Sequence, residues 1–200
     1  MQKITLVLLP GLDGTGELFE PLICHLPDWI SPLIISYPRD KPCSYQELKT
    51  LVLKALPTEA EYVILGESFA GPLAVLISGA KPAGLKGIIL CASFVKKPFR
   101  VIPSWFSLLS VSPVYLLWPA TIRLRTIFVR GEYRLLVDMV LKAIRSVRPG
   151  VIAERVKAIL TVNVEKELMQ TDVPMLYLVG QKDYLIRKHN VAGIKKIKND

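Results

Sequence analysis

Over the first 95 residues, short and nearly unbroken apolar runs alternate with amphipathic stretches. Ile4–Leu9 is the first such run. It is rich in Val, Leu and Ile and is stopped at once by Pro10-Gly11, which predicts a buried strand. Residues 33–37, ended by Pro38, predict a second strand, residues 62–65 a third and Leu85–Cys91 a fourth. Residues 19–26 predict a short helix. A longer one starts after Ser44, an N-cap with Glu47 at the capping-box position, and Leu48, Leu51, Val52, Ala55 and Leu56 share one of its faces. Residues 68–78 predict a helix that directly follows the third strand. Strands that are apolar throughout and separated by helices indicate a parallel sheet covered on both faces, with right-handed crossovers.

The alternation stops after Ser93. Residues 96–168 contain no strand signal and predict helices around 105–109, 120–129, 133–147 and 152–160, with Pro149-Gly150 ending the third. In the third helix, Leu136, Val140, Ala143 and Ile144 share a face. Alternation returns with a strand at 175–179, after Pro174, and a helix at 186–197. The fold class that follows is α/β: residues 1–95 and 169–200 form the core, and 96–168 form a helical cap inserted between two strands. Such a cap would stand above the carboxyl ends of the strands, where sheets of this kind bind ligands.

Composition narrows the picture. Hydrophobic residues make up 51% of a 200-residue chain, enough for a folded core and against disorder. The longest uncharged stretch, between Arg100 and Arg123, holds Pro103, Pro113 and Pro119, which breaks it into helical pieces and argues against stable membrane insertion. Cys24, Cys43 and Cys91 are odd in number and match no zinc or redox spacing, so buried free thiols and a cytoplasmic location are expected. The net charge of +9 is unevenly placed: residues 1–95 carry −2 and residues 96–168 carry +8. A basic middle can attract an acidic partner. No zinc finger, RNP-like segment or Gly-rich RNA loop accompanies it, so no nucleic-acid partner is expected.

Three short segments carry candidate chemistry. Gly66-Glu67-Ser68-Phe69-Ala70 lies between a predicted strand and a predicted helix, the setting of a nucleophile elbow. A serine in so tight a turn needs small neighbours two positions before and after it, which Gly66 and Ala70 supply. The turn points the hydroxyl outward and leaves the Phe69 N–H at the helix N-terminus to meet an oxyanion. Pro10-Gly11-Leu12-Asp13-Gly14-Thr15-Gly16 has the spacing of neither a dinucleotide fingerprint nor a P-loop, and no lysine follows it, so no nucleotide cofactor is expected. It reads as a tight loop in which Leu12 N–H is the second oxyanion donor and Asp13 either caps backbone N–H groups, the favoured reading, or serves as a catalytic acid. Gly180-Gln181-Lys182-Asp183 follows the last strand and places Asp183 where an acid can orient an imidazole.

Together these residues resemble bacterial α/β-hydrolase-fold esterases and related acyl hydrolases. The likeness rests on Leu9-Pro10-Gly11, Gly66-Glu67-Ser68-Phe69-Ala70-Gly71-Pro72, the strand into Cys91-Ala92-Ser93, the helical cap, and Leu178-Val179-Gly180 with Asp183. It implies Ser68 as nucleophile, Asp183 as acid, the N–H groups of Leu12 and Phe69 as oxyanion hole, and no cofactor. Pro10 stands where many members have histidine. The family's catalytic histidine follows one more strand after the acid. This chain has only His25, expected at the surface, and His189, an alternative base six residues after Asp183. The expectation is therefore that the last strand and the histidine lie in a segment beyond Asp200. Three functions fit: a hydrolase of a small-molecule ester or thioester, with or without an acidic carrier, a lipophilic-ligand-binding remnant without catalysis, and an acyltransferase. The aromatic residues Trp105, Phe106, Tyr115 and Trp118 either line an apolar pocket or pack the cap on the sheet.

Overall fold

The computed structural model describes residues 3–98, 133–181, 183 and 188–198. Its strands are β1 (Ile4–Leu9), β2 (Ile30–Ile34), β3 (Tyr62–Glu67), β4 (Leu85–Cys91) and β5 (Met175–Leu178). All pair in parallel in one sheet, in the order β2-β1-β3-β4-β5. The described helices are α1 (Glu20–Ile23), α2 (Tyr45–Ala55), α3 (Ala70–Ser78), α4 (Tyr133–Arg145), α5 (Pro149–Thr161), α6 (Glu165–Met169) and α7 (Lys188–Ile197), with a 3-10 turn at Glu17–Phe19 before α1.

Successive strand side chains point to opposite sides, so the inner strands β1, β3 and β4 bury apolar residues on both faces, while the edge strands leave Ile34 of β2 and Leu176 and Leu178 of β5 exposed. Val7, Leu9, Ile64, Ile88 and Leu90 join α2 and α3 in the larger core. Leu6, Leu8 and Leu65 face the other way and meet Phe19, with Ile23 and Leu26 packed against them. Every residue of α3 is buried. It packs between the sheet and α2 and α6, which is why its sequence is apolar all round. Outside, α2 keeps its predicted cap: Ser44 Oγ accepts from Glu47 N–H, and the Glu47 carboxylate accepts from Ser44 N–H at 2.7 Å.

The structure corrects several boundaries. The second strand runs Ile30–Ile34 rather than 33–37, because its register is set by β1, from Ile4↔Ile30 to Leu8↔Ile34. Pro32 lies inside it, which an edge strand tolerates. Tyr37 is buried but leaves the sheet, its N–H donating to Gly14 O at 2.8 Å. Pro149-Gly150 opens α5, with Pro149 in the first turn where its missing N–H costs nothing, rather than closing the preceding helix, which already ends at Arg145. On α4, Ala143 of the expected face is buried and Val140 and Ile144 are half-buried, whereas Leu136 is 50% exposed and Leu141, off that face, is buried. The expected helix at 19–26 is the 3-10 turn followed by one α-turn. The helices expected at 105–109 and 120–129 lie outside the described residues. Among the described residues no helix is long and apolar enough to cross a membrane.

Candidate active site

The strand order reverses between β1 and β3. The chain leaves β1 toward β2 on one side and leaves β3 toward β4 on the other. Such a switch point opens a crevice at the carboxyl ends of the strands. Leu9 of β1 is level with Gly66 of β3, so Pro10–Gly16 and the turn after β3 leave the sheet side by side.

Ser68 occupies that turn with φ 49°, in the left-handed region that a side chain rarely adopts. The position two before it has no room for a side chain: a Cβ on Gly66 would come within 2.7 Å of the Ala70 carbonyl oxygen. Hydrogen bonds hold the turn from three sides. Ser68 N–H donates to Cys91 O at 2.9 Å, Ser93 Oγ donates to Ser68 O at 2.6 Å, and Gly71 N–H donates to the same carbonyl at 3.1 Å. Tyr45 Oη donates to Phe69 O at 2.8 Å, and its ring stacks on the Phe69 ring at 4.8 Å. In a trans peptide the N–H of Phe69 is antiparallel to the Ser68 carbonyl, so fixing that carbonyl aims the N–H the other way.

The loop after β1 is built on the same logic. Gly14 N–H donates to Gly11 O at 3.1 Å, closing a turn over Gly11–Gly14. The Leu12 N–H is then antiparallel to an occupied carbonyl and faces out of the turn. Asp13 is 4% exposed, and its carboxylate accepts from Thr15 N–H at 2.8 Å and Thr15 Oγ1 at 2.5 Å. It holds the loop together as the sequence suggested.

Glu67 lies between the two loops, its carboxyl packed against Gly11. Burial, and then the neighbouring Asp13 charge, push the Glu67 carboxyl above the ordinary carboxylate value, while the Gly11 N–H beside it pulls the other way. At the end of β4, burial raises the Cys91 thiol, and Glu67 and Asp183 raise it further. A thiol held protonated is a poor nucleophile. Cys24, Cys43 and Cys91 are all free, with Cys24 exposed and the other two half-buried.

Asp183 follows β5 through a turn in which its N–H donates to Gly180 O at 3.1 Å. Because β5 runs parallel to β4 and β3, the turn that holds Asp183 leaves the same edge of the sheet as the turn after β3. Tyr177 Oη donates to Ser93 O at 2.6 Å, and its phenol is pushed up to about 12, chiefly by burial. Of the two histidines, His25 is exposed and its Nδ1–H donates to Pro21 O at 2.7 Å, within the surface turn after α1. The His189 side chain lies outside the described residues. Among the described residues no group of three His, Cys, Asp or Glu side chains could hold a metal ion.

Four residues around these loops escaped the sequence reading: Tyr45, Glu67, Ser93 and Arg155. Glu67 and Ser93 stood inside recognised segments without a role. Tyr45 and Arg155 reach the loops from helices far along the chain, and no local signal marks them. A hollow of about 460 Å³ is lined by Gly16, Glu17, Ile34, Met139 and Lys142 among others, but not by Ser68 or Asp183.

No protein-family model and no curated protein matches the sequence. Solved structures do match. The chain has the α/β-hydrolase fold. A hydrolase from Oleispira antarctica superposes with a TM-score of 0.79 at 12% identity, covering 98% of this chain and 80% of that one. An enol-lactonase from Burkholderia xenovorans LB400 gives 0.77 at 14% identity, with 98% and 80% covered. A structure from a study of carboxylesterases of Nitrososphaera gargenis gives 0.75 at 14%, with 98% and 78% covered. At these identities the likeness establishes the fold.

Proposed function

We propose that the protein is a serine hydrolase that cleaves a carboxylic ester or thioester through an acyl-Ser68 intermediate. The observation that carries this reading is the left-handed backbone of Ser68 at a strand-to-helix turn. Strain of this kind persists only where the surroundings impose it, and it concentrates at reactive sites. Ser68 Oγ attacks the acyl carbon while a base takes its proton. The oxygen of the tetrahedral intermediate accepts from Phe69 N–H and Leu12 N–H, and the alcohol or thiol leaves with the proton. Water then attacks the acyl-enzyme by the same route and releases the acid. Asp183 orients the imidazole that serves as base, and His189 is the candidate within this sequence. Esterase and lactonase neighbours on the same fold support acyl chemistry. Residues 96–168 form the cap in this reading, and a cytoplasmic location suits the free thiols.

The test is ester turnover of the protein beside Ser68→Ala and His189→Ala. Loss of turnover in the first, with loss of labelling by a fluorophosphonate probe, is the expected result. Turnover that survives Ser68→Ala refutes the proposal. Loss in both identifies His189 as the base, since losing the histidine of a triad costs roughly 10⁶-fold in kcat. Release of an ester in place of the acid when alcohol is added would make the enzyme an acyltransferase.

A further inference from the structure

Arg155 lies on α5 and is 2% exposed. A buried guanidinium is costly unless its N–H groups find partners. Among the described residues, all of its hydrogen bonds go to backbone carbonyls of two loops at the carboxyl edge of the sheet. Nη1 donates to Leu12 O at 2.9 Å and to Asp13 O at 2.7 Å, and Nη2 donates to Pro38 O at 2.9 Å. The guanidinium carbon stands 5.5 Å from the centre of the Tyr37 ring. A Cβ at Gly14 would come within 2.5 Å of Nη1 and 2.8 Å of Tyr37 Cδ2, and Gly14 has φ +67°. The loop after β1 is therefore shaped around this one side chain, which comes from 142 residues further along the chain.

Two consecutive peptide carbonyls, of Leu12 and Asp13, converge on one nitrogen. The peptide before them has its carbonyl on Gly14 N–H. The planes on both sides of Leu12 Cα are thus fixed, and with them the direction of Leu12 N–H. We propose that Arg155 is the positioning residue of the oxyanion hole: it clamps the loop after β1 so that Leu12 N–H points at the developing oxyanion. This rests on the reading of Leu12 N–H as a donor in acyl transfer from Ser68. Lysine cannot replace it, because an ammonium is a point charge and cannot hold two loops as a planar fork does.

The experiment compares wild type, Arg155→Lys, Leu12→Pro and the double variant in the full chain. Proline at 12 deletes the donor itself and suits the second position of the Gly11–Gly14 turn. The readouts are kcat and KM for a short nitrophenyl ester, and the inhibition constant of an alkylboronic acid, whose tetrahedral adduct on Ser68 places an oxygen in the oxyanion hole. Near-UV circular dichroism measures the folded fraction. Leu12→Pro should lower kcat by about 10²-fold, the usual cost of one oxyanion donor. Arg155→Lys should lower kcat by about 10- to 100-fold, leave KM within about twofold, and weaken boronate by the same factor as kcat. In the Leu12→Pro background it should cost little more, because the donor it positions is gone. An Arg155→Lys loss that is equal in both backgrounds, or that matches the loss of folded protein, overturns the positioning role and leaves the hydrolase reading intact. A wild type that neither binds boronate at Ser68 nor turns over ester overturns both.

Discussion

The left-handed backbone at Ser68 can be weighed directly by comparing Ser68→Gly with Ser68→Ala. Both variants remove the hydroxyl, and neither touches the backbone bonds of the turn, from Ser68 N–H to Cys91 O and from Gly71 N–H to Ser68 O. They differ in the cost of φ 49°. For a residue with a Cβ, the left-handed region costs about 1–2 kcal/mol, and glycine escapes that cost. Glycine also makes the unfolded chain looser, which costs about 0.4–1 kcal/mol. The difference leaves Ser68→Gly more stable than Ser68→Ala by about 0.5–1 kcal/mol, the opposite of the usual order of these two residues. For a chain of this length that is a higher Tm by about 1–4 °C. Paired thermal melts, with urea titrations to check that the m-values agree, measure it. An Ala variant as stable as the Gly variant, or more so, would show that Ser68 is not held in the conformation that defines the elbow.

Replacing Glu67 with Gln removes a carboxyl whose folded pKa burial raises above the ordinary carboxylate value. A raised folded pKa means the folded state keeps the proton longer, so wild type loses stability as pH climbs from the unfolded value through the folded one. The Tm of Glu67→Gln relative to wild type should therefore rise with pH above about 4.5 and then level off, and parallel curves would contradict the burial argument. Ser44→Ala opens the capping box on α2 and should lower stability by about 1 kcal/mol in urea titration. Leu73→Ala empties a fully buried position in α3 and should cost about 2–5 kcal/mol by the same assay. The net +8 of residues 96–168 should steer an acyl donor with an acidic carrier. Its kcat/KM should fall between low salt and physiological salt, where the Debye length is about 8 Å, more than that of a neutral ester, and equal responses would remove the idea.

What the sequence determined by itself was whatever acts over a few neighbouring residues. Ile4–Leu9 and Leu85–Cys91 read as strands because unbroken apolar runs have nowhere to go but the middle of a sheet, and the observed bounds agree. The Ser44 cap was legible because its partner is three residues away. The turn at Ser68 was legible because the steric demand that requires Gly66 falls within the same five residues. Tertiary structure decided the rest, since it joins residues that no local window holds. The extent of β2 was set by its register on β1, and a proline inside it misled the pattern. Ser93, just after β4, and Tyr45, from α2, grip the carbonyls of the elbow. Arg155 looks like one more charge on an amphipathic helix until the fold brings it onto Leu12 and Asp13. Among the described residues its hydrogen bonds go to backbone carbonyls, which no sequence pattern marks, so only the packing of α5 against the loop after β1 shows what it holds.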